Sequence, residues 1–328
     1  MTKKRKQPVG AATDPRAGRA KPATSRPPRP VTETPARQSK SRNFESEARE
    51  LFRDKDRLDE LLLLEKTNRG VDQKQLVFAG FSDVSAQVFC SMKAVLRARE
   101  SEKMYFRAYL KGRLYYANEL RALERWPRSN IGLLQVIQSI TFEQVEALEK
   151  PHYGDHPLPG ETSEILPLEI KIKGPNVDYA TRGDVLEFFC AERYHKFMWH
   201  FPYGRYVFLA IPDGITNDFV YEFKSGSNAR FRPERTTEAV VQGDLYGYFF
   251  RKRMKRVQVY TSDDRRRESR NSLVDEENAV KYLKNFARVD GGEMPKLPSP
   301  GKCRSCDFVA SCPLYSAAHR QPTFSGMS

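Results

Sequence analysis

No stretch of the 328 residues approaches 18 consecutive apolar side chains, so no helical membrane span is expected and no membrane partner either. The opening MTKKRKQPVGAATDPRAG is basic but has no apolar segment of the kind a secretory signal needs. These absences lead to the expectation of a cytoplasmic chain. Cysteine is scarce, at five residues, and disulfides are disfavoured in that compartment. Metal binding or catalysis is then the default for any cysteines that cluster. Histidine is equally scarce, also at five, which limits imidazole ligands. No G-x-x-x-x-G-K-[ST] loop occurs, so the phosphate cradle of a P-loop NTPase is excluded.

What is present suits a folded domain: 39% hydrophobic and 30% charged residues. The net charge is +14, but residues 1–42 alone carry +10. That segment also holds 7 of the 21 prolines and no aromatic residue. It has too little apolar surface to offset its ordering entropy and is expected to be disordered. It serves either as a solubilising tail or as an electrostatic tether for nucleic acid.

From Phe44 the composition changes. Periodicity predicts helices over 44–66, 84–100, 103–126 and 140–150, then a Pro/Gly/His loop over 151–161 and a strand over 166–174. A further helix is expected over 181–201, with Thr181 and Asp184 at capping-box spacing. Strands follow at 205–215 and 218–226, a helix at 236–256, a strand at 257–262 and a helix at 271–289. The order implies an α/β core within a helical surround. The expected organisation is a tail over 1–42, a helical lead-in over 43–79 and a main domain over 80–320, with a possible insertion over 100–180.

The chemistry concentrates at Pro212-Asp213 and Glu222-Phe223-Lys224, nine residues apart. Side chains alternate along a strand, so Glu222 and Lys224 share a face while Phe223 points to the core. If the two strands pair antiparallel, Asp213 reaches that face. Two carboxylates form a hard-oxygen site for Mg²⁺ or Mn²⁺, and the lysine can orient or help deprotonate a metal-bound water, or neutralise charge on a phosphate. A surface hairpin with an incidental E-x-K pair is the plainer alternative, and the flanking Val220, Tyr221 and Phe223 weigh against it. Gln242 and Tyr246, four apart on the next helix, share a face and could meet a phosphate or a base; ordinary helix packing explains them equally well. Gly243 and Gly247 beside them permit close approach of another backbone.

Cys303, Cys306 and Cys312 form C-x2-C-x5-C, with Cys90 far upstream. This spacing fits zinc or an iron–sulfur cluster, and the single C-x2-C knuckle favours the cluster. Cys190, in LEFFCAE, reads as a buried structural residue.

In this order and spacing, Cys90, Pro212-Asp213-Gly214, Glu222-x-Lys224, Gln242-x3-Tyr246 and the C-terminal cysteines resemble RecB-like PD-(D/E)XK nucleases that carry a [4Fe–4S] cluster. CRISPR adaptation nucleases, the AddB nuclease domain and exonuclease V are of this type. The resemblance covers residues 80–315 and implies a restriction-endonuclease-like core. It implies that Cys90, Cys303, Cys306 and Cys312 ligate one cluster that staples the two ends of the domain. It further implies that Asp213 and Glu222 bind the metal, that Lys224 serves the hydrolytic water, and that Gln242 and Tyr246 complete the motif. The substrate would be single-stranded or open-ended DNA, in repair or in CRISPR spacer acquisition, with a helicase or CRISPR integrase subunits as separate partners. The family's upstream G-x-x-x-H is replaced by Gly183-x-x-x-Glu187. Either Glu187 completes the metal site or one of His152, His156, His195 and His200 does. The rival function is a non-catalytic nucleic-acid-binding module built on the same scaffold.

Overall fold

The apolar runs at 205–215 and 218–226 do become strands, but in two different sheets. The computed structural model describes residues 35–68, 76–154, 179–304 and 306–319. Strand β3 (Tyr206–Ala210) is the centre of a three-stranded sheet, with β1 (Val77–Gly80) parallel to it and β2 (Trp199–Tyr203) antiparallel. The second sheet has the order β4-β5-β6-β7: β4 (Gly214–Ile215), β5 (Phe219–Gly226), β6 (Met254–Thr261) and β7 (Arg266–Leu273). The expected long hairpin is therefore corrected to a short one, since only Gly214 and Ile215 turn back to pair with Tyr221 and Val220. All five residues of β3 are buried, so that strand needs neighbours on both edges and finds them in β1 and β2.

Twelve α-helices occur among the described residues. The helix expected over 44–66 is two, α1 (Pro35–Arg53) and α2 (Lys55–Asn68). Asp54 separates them and caps the second by accepting the Arg57 amide at 3.0 Å. Because α1 begins at Pro35, the unstructured tail expected over 1–42 does not reach 42; residues 1–34 lie outside the described residues, as does the strand expected over 166–174. Next come α3 (Phe81–Ser85), α4 (Ser91–Glu100), α5 (Glu102–Glu119), α6 (Asn130–Ser139) and α7 (Phe142–Glu149). They are followed by α8 (Tyr179–Cys190), α9 (Arg232–Phe250), α10 (Glu276–Asp290), α11 (Pro300–Arg304) and α12 (Pro313–His319). Helix α8 stops at Cys190, not at 201, because the aromatic residues at 199–203 are taken into β2. It also starts before Thr181, which lies within its first turn and not at its cap.

Helices α1, α2, α5 and α6 cover one face of the three-stranded sheet through Leu51, Leu61, Phe78, Tyr109, Leu134 and Val207. The other face packs Phe81, Ala94, Phe208, Tyr246 and Phe286 from α3, α4, β3, α9 and α10. The boundary expected at residue 80 thus runs through a sheet, and α5, α6 and α7 belong to the packed structure on either side of it. In the four-stranded sheet, α9 crosses over from β5 to the parallel β6 and packs on both. A Cβ at Gly247 would overlap Val274, so this glycine is what lets the helix approach the end of β7.

Candidate active site

Alternation along β5 places Tyr221 and Phe223 on the face covered by α8, beside Leu186, Cys190 and Tyr260. Glu222 and Lys224 project to the opposite face, towards α9, as their neighbours Val257 and Val259 on β6 pack with Ala239. The carboxylate–lysine pair therefore sits between a sheet and a helix. Glu222 is 1% exposed. Its Oε1 accepts from Lys224 Nζ at 2.6 Å, and its Oε2 is buried with no hydrogen-bond partner among the described residues.

Asp213 lies one residue before β4, whose pairing of Gly214 with Tyr221 brings Asp213 alongside Glu222. Its Oδ2 accepts the Phe223 amide at 2.7 Å, which continues the ladder and fixes the carboxylate. Gly214 is needed here because a Cβ would run into Tyr194. Burial pushes Asp213 up to about 6; Lys224 opposes the shift and Glu187 adds to it. Glu222 is driven well above the usual carboxylate range, first by burial and then by Asp213. Lys224 behaves oppositely: burial would lower it, but Glu222, Glu238 and Asp213 together raise it. It is thus a fixed cation, suited to donating hydrogen bonds and unsuited to accepting a proton. Two crowded carboxylates, one with a buried unpartnered oxygen, form a donor set that fits a divalent cation.

Gln242 and Tyr246 share one face of α9 as their spacing implies, but both are buried with their polar ends committed to each other. Gln242 Nε2 donates to Tyr246 Oη at 2.8 Å, and Tyr246 Oη donates to the Ile211 carbonyl at 2.8 Å. Ser85 Oγ on α3 donates to Gln242 Oε1 at 3.1 Å. This chain braces the loop that carries Asp213 from the rear.

Glu187 lies in the third turn of α8, beyond the reach of a helix N-terminus. Its carboxylate holds Lys196 at 2.7 Å, and both line a cavity of about 570 Å³ together with Asp213. The histidines go elsewhere. His195 Nε2 meets Glu149 Oε2 at 2.5 Å, His152 stacks on His195, and His200 packs edge-on against Tyr109. His156 lies outside the described residues.

Three contributors were not legible from motif spacing alone. Lys196 faces Asp213 from the segment before β2, and Ser85 anchors Gln242. Glu238, buried and paired with Arg235 at 2.8 Å, adds negative charge beside Lys224. Only Glu238 left a signal, since it precedes Gln242 and Tyr246 at the same four-residue interval.

The cysteines sort into two environments. Cys190 is buried in the apolar cluster beneath α8. Cys90 caps α4, its Sγ accepting the Lys93 amide at 3.4 Å. Cys90, Cys303, Cys306 and Cys312 all line one cavity of about 390 Å³. Burial and then the other three thiols raise Cys303, in the order Cys90, Cys312 and Cys306. An ion pair from Lys93 to Asp307 at 3.0 Å joins α4 to the segment that carries the C-terminal cysteines. Among the described residues, no three His, Cys, Asp or Glu side chains stand at ligating distance of a common point. The donor chemistry of four thiols on one cavity nonetheless fits a thiolate-bound metal centre.

No family model and no curated protein matches the sequence. A solved structure described as the crystal structure of SSO0001 aligns over 79% of this chain and 95% of its own, with 16% identity and a TM-score of 0.33. A likeness of that size carries no inference about fold or activity.

Proposed function

We propose that this chain is a metal-dependent DNA nuclease with a restriction-endonuclease-like PD-(D/E)XK core, stapled by a [4Fe–4S] cluster at Cys90, Cys303, Cys306 and Cys312. One observation carries the reading. Glu222 Oε2 is buried without a partner among the described residues, beside a second carboxylate and a lysine held at 2.6 Å. Such an oxygen costs roughly 1–3 kcal/mol if it is left unmatched, and a cation removes the cost.

Asp213 and Glu222 would hold Mg²⁺ or Mn²⁺, which would supply charge neutralisation at a phosphodiester and activation of water. Asp213 is oriented by the Phe223 amide, and the Ser85–Gln242–Tyr246 chain keeps its loop from shifting. Lys224, kept protonated by its acidic neighbours, donates to a phosphate oxygen and stabilises the charge that grows there. Lys196 and Glu187 line the approach to Asp213. DNA, single-stranded or with open ends, is the substrate that the family resemblance implies, and a helicase or CRISPR integrase subunits are the partners that it implies.

The test is incubation of anaerobically purified protein with labelled single- and double-stranded DNA in Mg²⁺, Mn²⁺ or EDTA, together with iron analysis. Cleavage that needs the metal, is lost in Asp213→Ala and Glu222→Ala, and accompanies about four irons per chain is the expected result. Cys190→Ser keeps the iron and Cys90→Ser loses it. Iron with DNA binding but no cleavage overturns the catalytic reading in favour of a binding module. Stoichiometric zinc overturns the cluster.

A further inference from the structure

Phe188 departs from the burial pattern of α8. Leu186 and Cys190 turn into the core with Tyr221, Phe223 and Tyr260, and Phe189 packs against them. Phe188 is 54% exposed. An exposed phenylalanine is ordinary by itself, but this one lines the same cavity as Glu187, Lys196 and Asp213.

Its ring is held in place from two directions. Phe189 meets it edge to face, with centroids 5.0 Å apart and planes at 79°. The Arg193 guanidinium lies 4.6 Å from its centroid and is tethered by donating to the Phe188 carbonyl at 3.3 Å. The cavity therefore carries an exposed aromatic ring with a guanidinium over one face, together with the Lys196 ammonium that Glu187 pairs at 2.7 Å. These complement a flat π system joined to an anionic group. Bases stack on such aromatic surfaces, and an arginine beside the ring adds attraction for both base and phosphate.

We infer that Phe188 and Arg193 form a stacking platform for the nucleobase next to the scissile phosphodiester, an assignment that rests on the nuclease reading of Asp213, Glu222 and Lys224. Phe188 is a positioning residue: it touches the nucleotide but not the reacting atoms. A base inside a duplex has both faces covered by its neighbours, so only an unstacked base can use the platform. The platform thereby adds discrimination for frayed or unpaired strands, separate from the chemistry at the carboxylates.

Single-stranded oligonucleotides carrying 2-aminopurine at successive positions test the assignment, bound to full-length protein in EDTA so that no cleavage is needed. Fluorescence should fall at one position with wild type and recover in Phe188→Ala, while Phe188→Trp retains the quench. In Mg²⁺, Phe188→Ala should raise KM about ten-fold with kcat changed less than about two-fold. An abasic nucleotide at the quenched position should weaken wild-type binding to the level of Phe188→Ala and leave that variant unchanged. Unaltered fluorescence and KM in Phe188→Ala, in a protein that cuts DNA, overturn the platform alone. Quenching that depends on Phe188 in a protein that never cuts overturns the nuclease reading and leaves the platform as a binding device. A loss of binding only to protein partners, with oligonucleotide binding intact, assigns Phe188 to a protein interface and overturns the inference.

Discussion

Two lysine–carboxylate pairs with buried carboxylates sit in the four-stranded sheet and its crossover helix, and they differ in how fully their hydrogen-bonding capacity is met. Asp244 on α9 accepts from Lys255 on β6, from the Asp275 amide at 2.7 Å and from Asn278 Nδ2 at 2.9 Å. Lys255 also donates to the Leu273 carbonyl at 2.8 Å. The partners come from three elements besides α9, so the pair ties α9, β6, the end of β7 and the start of α10 together. Glu222 has Lys224 on one oxygen and, among the described residues, no hydrogen-bond partner on the other, with Asp213 and Glu238 adding charge of the same sign nearby. Both carboxylates are buried, while Lys224 keeps some exposure that Lys255 lacks. A buried ion pair is tolerable when its remaining hydrogen-bonding capacity is met, and costly when it is not. Saturation therefore separates the structural pair from the pair that is available to a ligand.

The sharpest way to break this contrast is catalytic. Lys224→Ala should lower metal-dependent cleavage by roughly 10²- to 10⁴-fold per folded molecule, beyond the stability it loses by stranding Glu222, whereas the molecules of Lys255→Ala that stay folded should cut normally. Active-site titration of the folded fraction separates the two; equal losses per folded molecule would erase the distinction.

Stability should show the reverse order. Asp244→Ala strands Lys255 in the interior and should cost about 3–5 kcal/mol in urea unfolding. Glu222→Gln removes a charge that is poorly matched in the metal-free protein and should cost far less, or stabilise. A larger loss in Glu222→Gln than in Asp244→Ala would contradict the assignment of roles.

The same asymmetry gives a pH dependence. Asp213 is held at about 6 in the folded chain against 3.8 as its ordinary value. A raised carboxylate binds its proton more tightly when folded, so its stabilising contribution is full below about pH 4 and is lost as pH rises through about 6. Metal-free protein should thus melt lower at pH 7.5 than at pH 5. Mn²⁺ should recover part of the difference at pH 7.5, because the cation favours the ionised pair, and Asp213→Asn should flatten the slope. Melts that are insensitive to pH in this window would show that the carboxylates are already matched.

The smallest effect is expected behind the site. Ser85→Ala removes one bond to Gln242 and should cost about 1 kcal/mol, with a modest fall in cleavage rate. No change in rate would mean that the Tyr246–Ile211 bond alone holds the Asp213 loop.

Much of the local pattern was written in the sequence. Alternation on 218–226 separated Phe223 from Glu222 and Lys224, and the four-residue interval placed Gln242 and Tyr246 on one helical face. The cysteine spacing set Cys190 apart from the others, as its apolar surroundings do in the fold. These are short-range properties, because the repeat of a strand or a helix fixes which neighbours share a side. Which strands pair is a long-range property, and periodicity is silent on it. The two apolar strands around Pro212-Asp213 read as one hairpin, but in the fold β3 pairs with β1 and β2 while β5 pairs with β4 and β6, in separate sheets. Strand β7, RRESRNSL, carries no apolar alternation and exists because β6 offers it an edge. The register that sets Asp213 against Phe223, the meeting of Ser85 with Gln242, and the convergence of Cys90 on a cavity with cysteines more than two hundred residues away all depend on that packing. So does the unpartnered Glu222 oxygen. Whether a buried atom finds a hydrogen bond is decided by every element around it, and no single stretch of sequence contains that information.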